Sequence, residues 1–289
     1  MVAPPSRKNA RDVTTPAIHV HRLTKRYASG GGVKDLTFSV PRGELFVFLG
    51  PNGAGKSSTI KMLTGLLPPG SGTAQVNGID VVGDRIAAKR QIGYMAEQPF
   101  LYEKLTGREF ITFIADVYRI PRAIRLDRTA NLLRILDMEE RADHLIETYS
   151  LGMRQKIALA AVLVHQPPVL FLDEPTNGLD PLSARTVKDL LRDICARGGT
   201  VVMTTHILEI AEQMADRVGI LDQGRLIGLG TIPALRRHYG LPDASLEAIF
   251  LHATGYARPI DFDLFASQGY GAGPAVAPAD DEAIGIDSA

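Results

Sequence analysis

The chain has 289 residues, with 32 lysines and arginines against 32 aspartates and glutamates and a formal net charge of +0. That length suits one large domain with an appendage, and the balanced charge offers no overall field to hold nucleic acid or an anionic membrane, so binding must come from a local site. The single cysteine, Cys195, excludes an internal disulfide and fits a reducing compartment; its setting, LLRDICARG, reads as the apolar face of a helix, hence a buried thiol rather than a nucleophile.

Residues 1–16, MVAPPSRKNARDVTTP, carry basic residues with no apolar run after them, so they are expected to be a flexible leader and neither a secretory signal nor a lipidation site. Residues 17–49 predict three strands, AIHVHRL, VKDLTFSV and ELFVFL, the first two separated by the flexible turn SGGG. Tyr27 stands just before that turn, where its ring is placed to stack on a base.

The third strand runs straight into GPNGAGKSS, which matches the phosphate-loop pattern GxxxxGK[ST], and Ile60, Leu63 and Leu67 then carry helical periodicity. Strand, glycine loop and helix come in the order the pattern needs. Gly50, Gly53 and Gly55 let the backbone curl with its N–H groups inward, and the helix points its positive end at the same spot, so an anion belongs there. Pro51, Asn52, Ala54 and Ser58 complete the loop. Lys56 is expected to reach the β and γ phosphates of a nucleotide, and Ser57 to join the shell of a magnesium ion bridging them.

Short strand-like pieces follow in LPPGSGTAQVNGIDV, and IGYM at 92–95 begins another apolar strand. From about residue 100 apolar positions recur at helical spacing, broken by Pro121, which predicts a helical insert. Further on, PPVLFLDEP, SARTVKDLLRDICARGG, TVVMTTH, ILEIAEQMADR and VGILDQG alternate strand with helix, the mark of parallel strands with helical crossovers and a ligand at their carboxyl ends. RLIGLGTIPAL closes this core and SLEAIFLHATG predicts one more helix. From Tyr256 the chain holds six acids against the single base Arg258, among many glycines, alanines and prolines, and is expected to be disordered. The most apolar segment, Ile157–Val164, falls far short of the roughly 20 residues a membrane helix needs, so no span is expected.

Within this frame VLFLDE delivers Asp173 and Glu174 to the end of a buried strand. In a chain with a phosphate loop, Asp173 is expected to hold the magnesium and Glu174 to activate the water that attacks the γ-phosphate. TTH places His206 at the end of a neighbouring strand, within reach of the same phosphate. Asp180, in NGLD before Pro181, is also suited to a plain helix cap.

YSLGMRQK at 149–156 opens an apolar helix and, taken with GPNGAGKSS before it and LFLDEPTNGLD and TTH after it, resembles the LSGGQ signature of ATP-binding cassette (ABC) proteins over roughly residues 17–230. The resemblance implies an α/β phosphate-loop NTPase cassette with a mixed-sheet core, an antiparallel β subdomain and a helical insert at about 100–165. The ATP-binding domain would span 17–240, a C-terminal helix 241–255 and an acidic tail 256–289. It also implies ATP and Mg2+ as ligands, with Tyr27 on the adenine, Asp173 on the metal, Glu174 as base, Asp180 at a dimer contact and His206 on the γ-phosphate. A second cassette, identical or related, would pair head to tail, its ATP touching Ser150, Gly152 and the free amides at 151–153.

Three positions depart from the family pattern. Leu151 replaces the first signature glycine and Met153 the glutamine. The glutamine that would follow IGYM falls on Glu97, with Gln98 one place later, and either is a candidate for the metal-bound water. LTGREF, the signature variant and LEAIFLHATG are similar to the drug and antibiotic exporter group, of ABC-2 type, whose cassettes dock on separate membrane subunits. The implied function is ATP hydrolysis driving transport, most often export, from the cytoplasmic face of the membrane, with no nucleic-acid partner. A soluble cassette regulating translation or DNA repair is the alternative, although such relatives join two cassettes or carry long coiled coils. A GTPase switch would need NKxD, and the chain has no Asn-Lys pair.

Overall fold

The computed structural model describes residues 15–28 and 30–256. The leader expected over 1–16 lies outside them except for its last two residues, and so does the acidic tail expected over 256–289 except for Tyr256. The elements below all belong to one unit, Met1–Thr254.

Strands β1 (Ile18–Arg26) and β2 (Gly32–Val40) form an antiparallel pair, and β3 (Leu45–Leu49) leads through the glycine loop into helix α1 (Lys56–Leu63). Next come β4 (Ser71–Val76), β5 (Ile79–Asp80), helix α2 (Arg85–Arg90) and β6 (Ile92–Met95). Helices α3 (Gly107–Val117), α4 (Arg122–Ile135) and α5 (Leu151–Leu163) follow, then β7 (Val169–Asp173), α6 (Pro181–Ala196), β8 (Thr200–Thr204) and α7 (Leu208–Met214). The hairpin β9 (Arg217–Asp222) and β10 (Arg225–Gly230) precedes α8 (Ile232–Tyr239) and α9 (Leu246–Thr254).

The strands make two sheets. One is antiparallel in the order β2-β1-β4-β5; the other runs β10-β9-β3-β8-β7-β6, parallel throughout except for β10, which turns back on β9 through Gln223 and Gly224, both at positive φ. The larger sheet is therefore mixed.

Strand residues alternate between faces, and here each face has its own core. Leu45, Val47, Leu49, Leu170, Leu172, Val201 and Met203 point to the helical side, while Phe46, Phe48, Val169, Phe171 and Val202 point to the antiparallel sheet. Burial on both sides explains why β3 is apolar throughout and why β7 and β8 are apolar except at their ends, Asp173, Thr200 and Thr204. Gly219 in β9 makes room for this packing, since a Cβ there would stand 2.9 Å from the Phe46 ring. Phe38 stacks on Phe46 and Phe48 meets both edge-on, with centroid separations of 4.9–5.9 Å.

The helical segment is defined by caps as much as by periodicity. Thr106 and Glu109 form a reciprocal capping box at the start of α3, Pro121 precedes α4, and Gly107 lies where a Cβ would meet the Tyr149 hydroxyl at 2.5 Å. Helix α5 packs against β6 and against α3 and α4, so the helical segment is continuous with the main core. Helix α9 folds back on α7, α8 and β9.

Cys195 lies on the buried face of α6, and burial pushes its thiol up to about 11. At about pH 8 an aromatic disulfide reagent is expected to leave native Cys195 unmodified, and to titrate one thiol per chain once denaturant is added. Rapid stoichiometric labelling of the native chain would contradict this placement.

Candidate functional site

Parallel register brings the carboxyl ends of β3, β6, β7 and β8 to one edge: Phe48 pairs with Thr204, Asp173 with Thr204, and Met95 with Leu172. The residues just beyond these ends line a single cleft of about 760 Å³.

The floor of the cleft is the loop between β3 and α1. Its curl depends on glycine at specific points: Gly55 caps α1 with φ +104°, and a Cβ on Gly50 would stand 2.4 Å from the Leu221 carbonyl oxygen. The loop is pinned by Ala54 N–H donating to Pro51 O (3.1 Å) and Gly224 N–H donating to Ala54 O (3.1 Å). Lys56 folds back across it, its Nζ donating to the carbonyls of Gly50 (2.6 Å) and Pro51 (3.2 Å). Burial lowers the Lys56 pKa, while Glu174, Asp173 and Glu97 act against that shift. Asn52, Gly53, Ala54, Gly55, Ser57 and Ser58 line the same cleft. Tyr27 stands on its rim, its hydroxyl 3.0 Å from Ser58 Oγ, beside Gly30, Gly31 and Gly32.

The opposite wall is acidic. Asp173 and Glu174 are both nearly buried, and His206 places its Nδ1 3.0 Å from Glu174 Oε1 with its own ring largely exposed. Glu97, exposed, lines the cleft; Gln98, also exposed, is not among the lining residues. Ser57, Asp173 and Glu97 supply hard oxygen donors of the kind magnesium takes. Among the described residues no three His, Cys, Asp or Glu side chains converge as a metal cage. This donor set fits magnesium held largely by phosphate and water oxygens. One lysine faces three carboxylates, so a polyphosphate in this cleft needs a cation to balance it.

Ser150, Gly152 and Asp180 lie outside the cleft. They gather on a second patch, where a Cβ on Gly152 would stand 2.9 Å from the Gly178 carbonyl oxygen and one on Gly178 would meet the Leu151 side chain at 2.6 Å. Ser150 caps α5 by accepting from Met153 N–H (3.3 Å). That corrects the expectation of three free amides at 151–153: the Met153 amide is engaged by the cap, because Ser150 sits at the Ncap position. Asp180 is the N-cap of α6, accepting from Ser183 N–H (2.9 Å) and Ser183 Oγ–H (2.6 Å), and these bonds hold its carboxyl below the usual carboxylate range.

Two side chains not singled out along the chain touch the acidic wall. Gln155 Nε2 donates to the Glu174 carbonyl (3.1 Å), and Thr204 Oγ1 accepts from Glu174 N–H (3.2 Å) and donates to Asp173 Oδ1. For Gln155 a signal existed: it shares a helix stripe with the buried Leu159 and Leu163, and a polar side chain on such a stripe needs a partner.

A family model described as ABC transporter matches residues 33–177. The linearmycin resistance ATP-binding protein LnrL of Bacillus subtilis (strain 168) is 38% identical over 214 residues, covering 74% of this chain and 69% of that protein. The daunorubicin/doxorubicin resistance ATP-binding protein DrrA of Streptomyces peucetius is 40% identical over 226 residues, covering 78% of this chain and 68% of that protein. Among solved structures, an ATP-binding subunit of an ABC transporter superposes with a TM-score of 0.78 at 35% identity, covering 82% of this chain and 99% of that one.

The glycine geometry makes a direct prediction. Gly50→Ala forces the loop away from Leu221 and is expected to weaken nucleotide binding about tenfold or more, read by titration of a fluorescent ATP analogue. Binding at wild-type affinity would show that the loop curl is not what holds the anion.

Proposed function

The chain belongs to the ABC transporter family, and from that premise we propose how its residues divide the work of an ATP-hydrolysing subunit that powers export through a separate membrane subunit. The observation that carries the reading is the single cleft in which a strand–glycine loop–helix unit faces Asp173, Glu174, His206 and Glu97 from three other strand ends. Relatives named for drug resistance favour transport over a regulatory role in translation or DNA repair.

The ATP-binding domain is residues 17–240, with the helical insert at about 100–165 and the C-terminal segment 241–255, whose helix is α9 (Leu246–Thr254), packed back on it. Tyr27 stacks on the adenine. Gly50 to Ser58 wrap the phosphates with backbone N–H groups, and Lys56 carries its charge to the β and γ groups. Ser57, Asp173 and Glu97 would hold magnesium, Glu97 rather than Gln98 because Glu97 faces the cleft. Magnesium, when bound, offsets the charge that the phosphates and three carboxylates would otherwise pile up. Glu174 takes a proton from the attacking water, and His206, hydrogen-bonded to Glu174, contacts the γ-phosphate and keeps the carboxylate aimed.

The second patch completes the site of another copy or a related cassette. Ser150, Gly152 and Asp180 are too far round the chain's surface to line its own cleft, yet they form an anion-suited helix start flanked by Leu151 and Leu182, 62% and 74% exposed. In a head-to-tail pair each ATP would lie between one chain's loop and the other's patch. Closure of the pair then moves the membrane subunits and hydrolysis reopens it.

The membrane partner docks on the helical side. A groove of about 320 Å³ lies between β6 and α3, α5, lined by Pro99, Leu101, Ile114 and Val162, with Phe100 fully exposed at its edge. No helix among the described residues is long and apolar enough to cross a membrane, which is consistent with a peripheral place on the cytoplasmic face of the cell membrane.

Glu174→Gln is expected to bind ATP as the wild type does, turn it over about 100-fold or more slowly, and accumulate as a dimer in gel filtration with ATP. Wild-type turnover in that variant would remove Glu174 from the chemistry. For the wild type, ATPase activity should rise more than linearly with protein concentration; strict linearity would mean that one chain suffices.

A further inference from the structure

We propose that Gln155 and Thr204 are positioning residues that hold the backbone of Glu174, and with it the carboxylate, in its working geometry; this rests on the reading of Glu174 as the water-activating base. Glu174 has φ +52°, in the left-handed region that a non-glycine residue keeps only where its surroundings hold it. Both of its peptide groups are held. Its N–H donates to Thr204 Oγ1 and to Thr204 O, each at 3.2 Å, and its carbonyl accepts from Gln155 Nε2 and from Asn177 N–H, each at 3.1 Å.

The burial of these groups separates them from ordinary surface bonds. Gln155 is 2% exposed and Thr204 0%, with Asp173 and Glu174 at 5% and 7%. A buried amide or hydroxyl is costly unless paired, so each side chain is committed to its partner and water does not substitute. The Thr204 proton goes to Asp173 Oδ1, which turns the hydroxyl lone pairs toward Glu174 N–H. One hydroxyl therefore fixes the metal carboxylate and the base relative to each other. Gln155 holds the other side of the same residue from α5, a helix that makes no other polar bond to Glu174.

Misplacing a reacting group by about 1 Å costs on the order of 100-fold in rate. Gln155 bonds only the Glu174 backbone and does not line the cleft, so for it ATP binding is left intact and the loss falls on the chemical step. Thr204 also holds Asp173, so its loss reaches metal-dependent binding as well. The test is single-turnover and steady-state ATP hydrolysis by the full chain carrying Gln155→Leu, Thr204→Val, Thr204→Ser or Glu174→Gln, together with the double variant Gln155→Leu/Glu174→Gln. Melting temperature is measured for each.

Gln155→Leu and Thr204→Val are each expected to lower kcat about tenfold or more; KM for ATP stays within about twofold in Gln155→Leu and rises in Thr204→Val, whose lost hydroxyl also fixes Asp173. Thr204→Ser, which keeps the hydroxyl, should retain kcat within about twofold. Adding Gln155→Leu to Glu174→Gln should cost nothing further, because the carboxylate it positions is already gone. Wild-type kcat in Gln155→Leu beside an inactive Glu174→Gln would overturn the positioning role while leaving the base in place. A further tenfold loss in the double variant would overturn it equally. Wild-type turnover in Glu174→Gln would instead overturn the reading beneath it. Should Thr204→Val not fold, the Gln155 variants and Thr204→Ser decide the matter alone.

Discussion

The structure depends on the burial of both faces of the parallel strands. Because β3, β7 and β8 are covered by helices on one side and by the antiparallel sheet on the other, their interior positions are apolar and polar side chains stand only at the strand ends. The polar groups that follow these strands are thereby gathered at one edge. The parallel register then makes that edge common to β6, β7, β8 and β3, so residues more than a hundred positions apart, such as Lys56 and Asp173, come to face one another.

Electrostatics in the cleft follow from that convergence. Lys56 is partly desolvated and its charged form is disfavoured by burial, yet three carboxylates stand near enough to support it. The same carboxylates would repel a bare polyphosphate. In the proposed complex the loop amides, the positive end of α1 and a divalent cation would together reverse that sign, which would tie binding of the nucleotide to binding of the metal. The balanced charge of the whole chain is thus compatible with strong local fields.

The contrast between the cleft and the second patch has a similar origin. Helix starts at α1 and at α5 are both suited to anions, but the first is enclosed by acidic strand ends while the second opens on the exposed surface beside the 177–180 turn. Under the proposed head-to-tail pairing these two helix starts would be the halves of ATP sites shared between chains, and association would be part of the chemistry.

Local patterns along the chain were enough for the glycine loop, the apolar runs ending in Asp173 and His206, the start of helix α5, the capped helix α6, and the buried Cys195, because each depends on neighbours within one or two turns or one strand. Which residue of the pair Glu97 and Gln98 faces the cleft was not legible, since that is set by how the chain leaves β6 and not by its composition. Nor was the engagement of the Met153 amide by Ser150, which needs the cap rotamer. The hold of Gln155 and Thr204 on Glu174 joins three segments brought together only by helix-on-sheet packing and strand register. Periodicity along one segment carries no information about its partner across the core, and so the pieces of this protein were determined by its sequence while their mutual aim was decided by the tertiary structure.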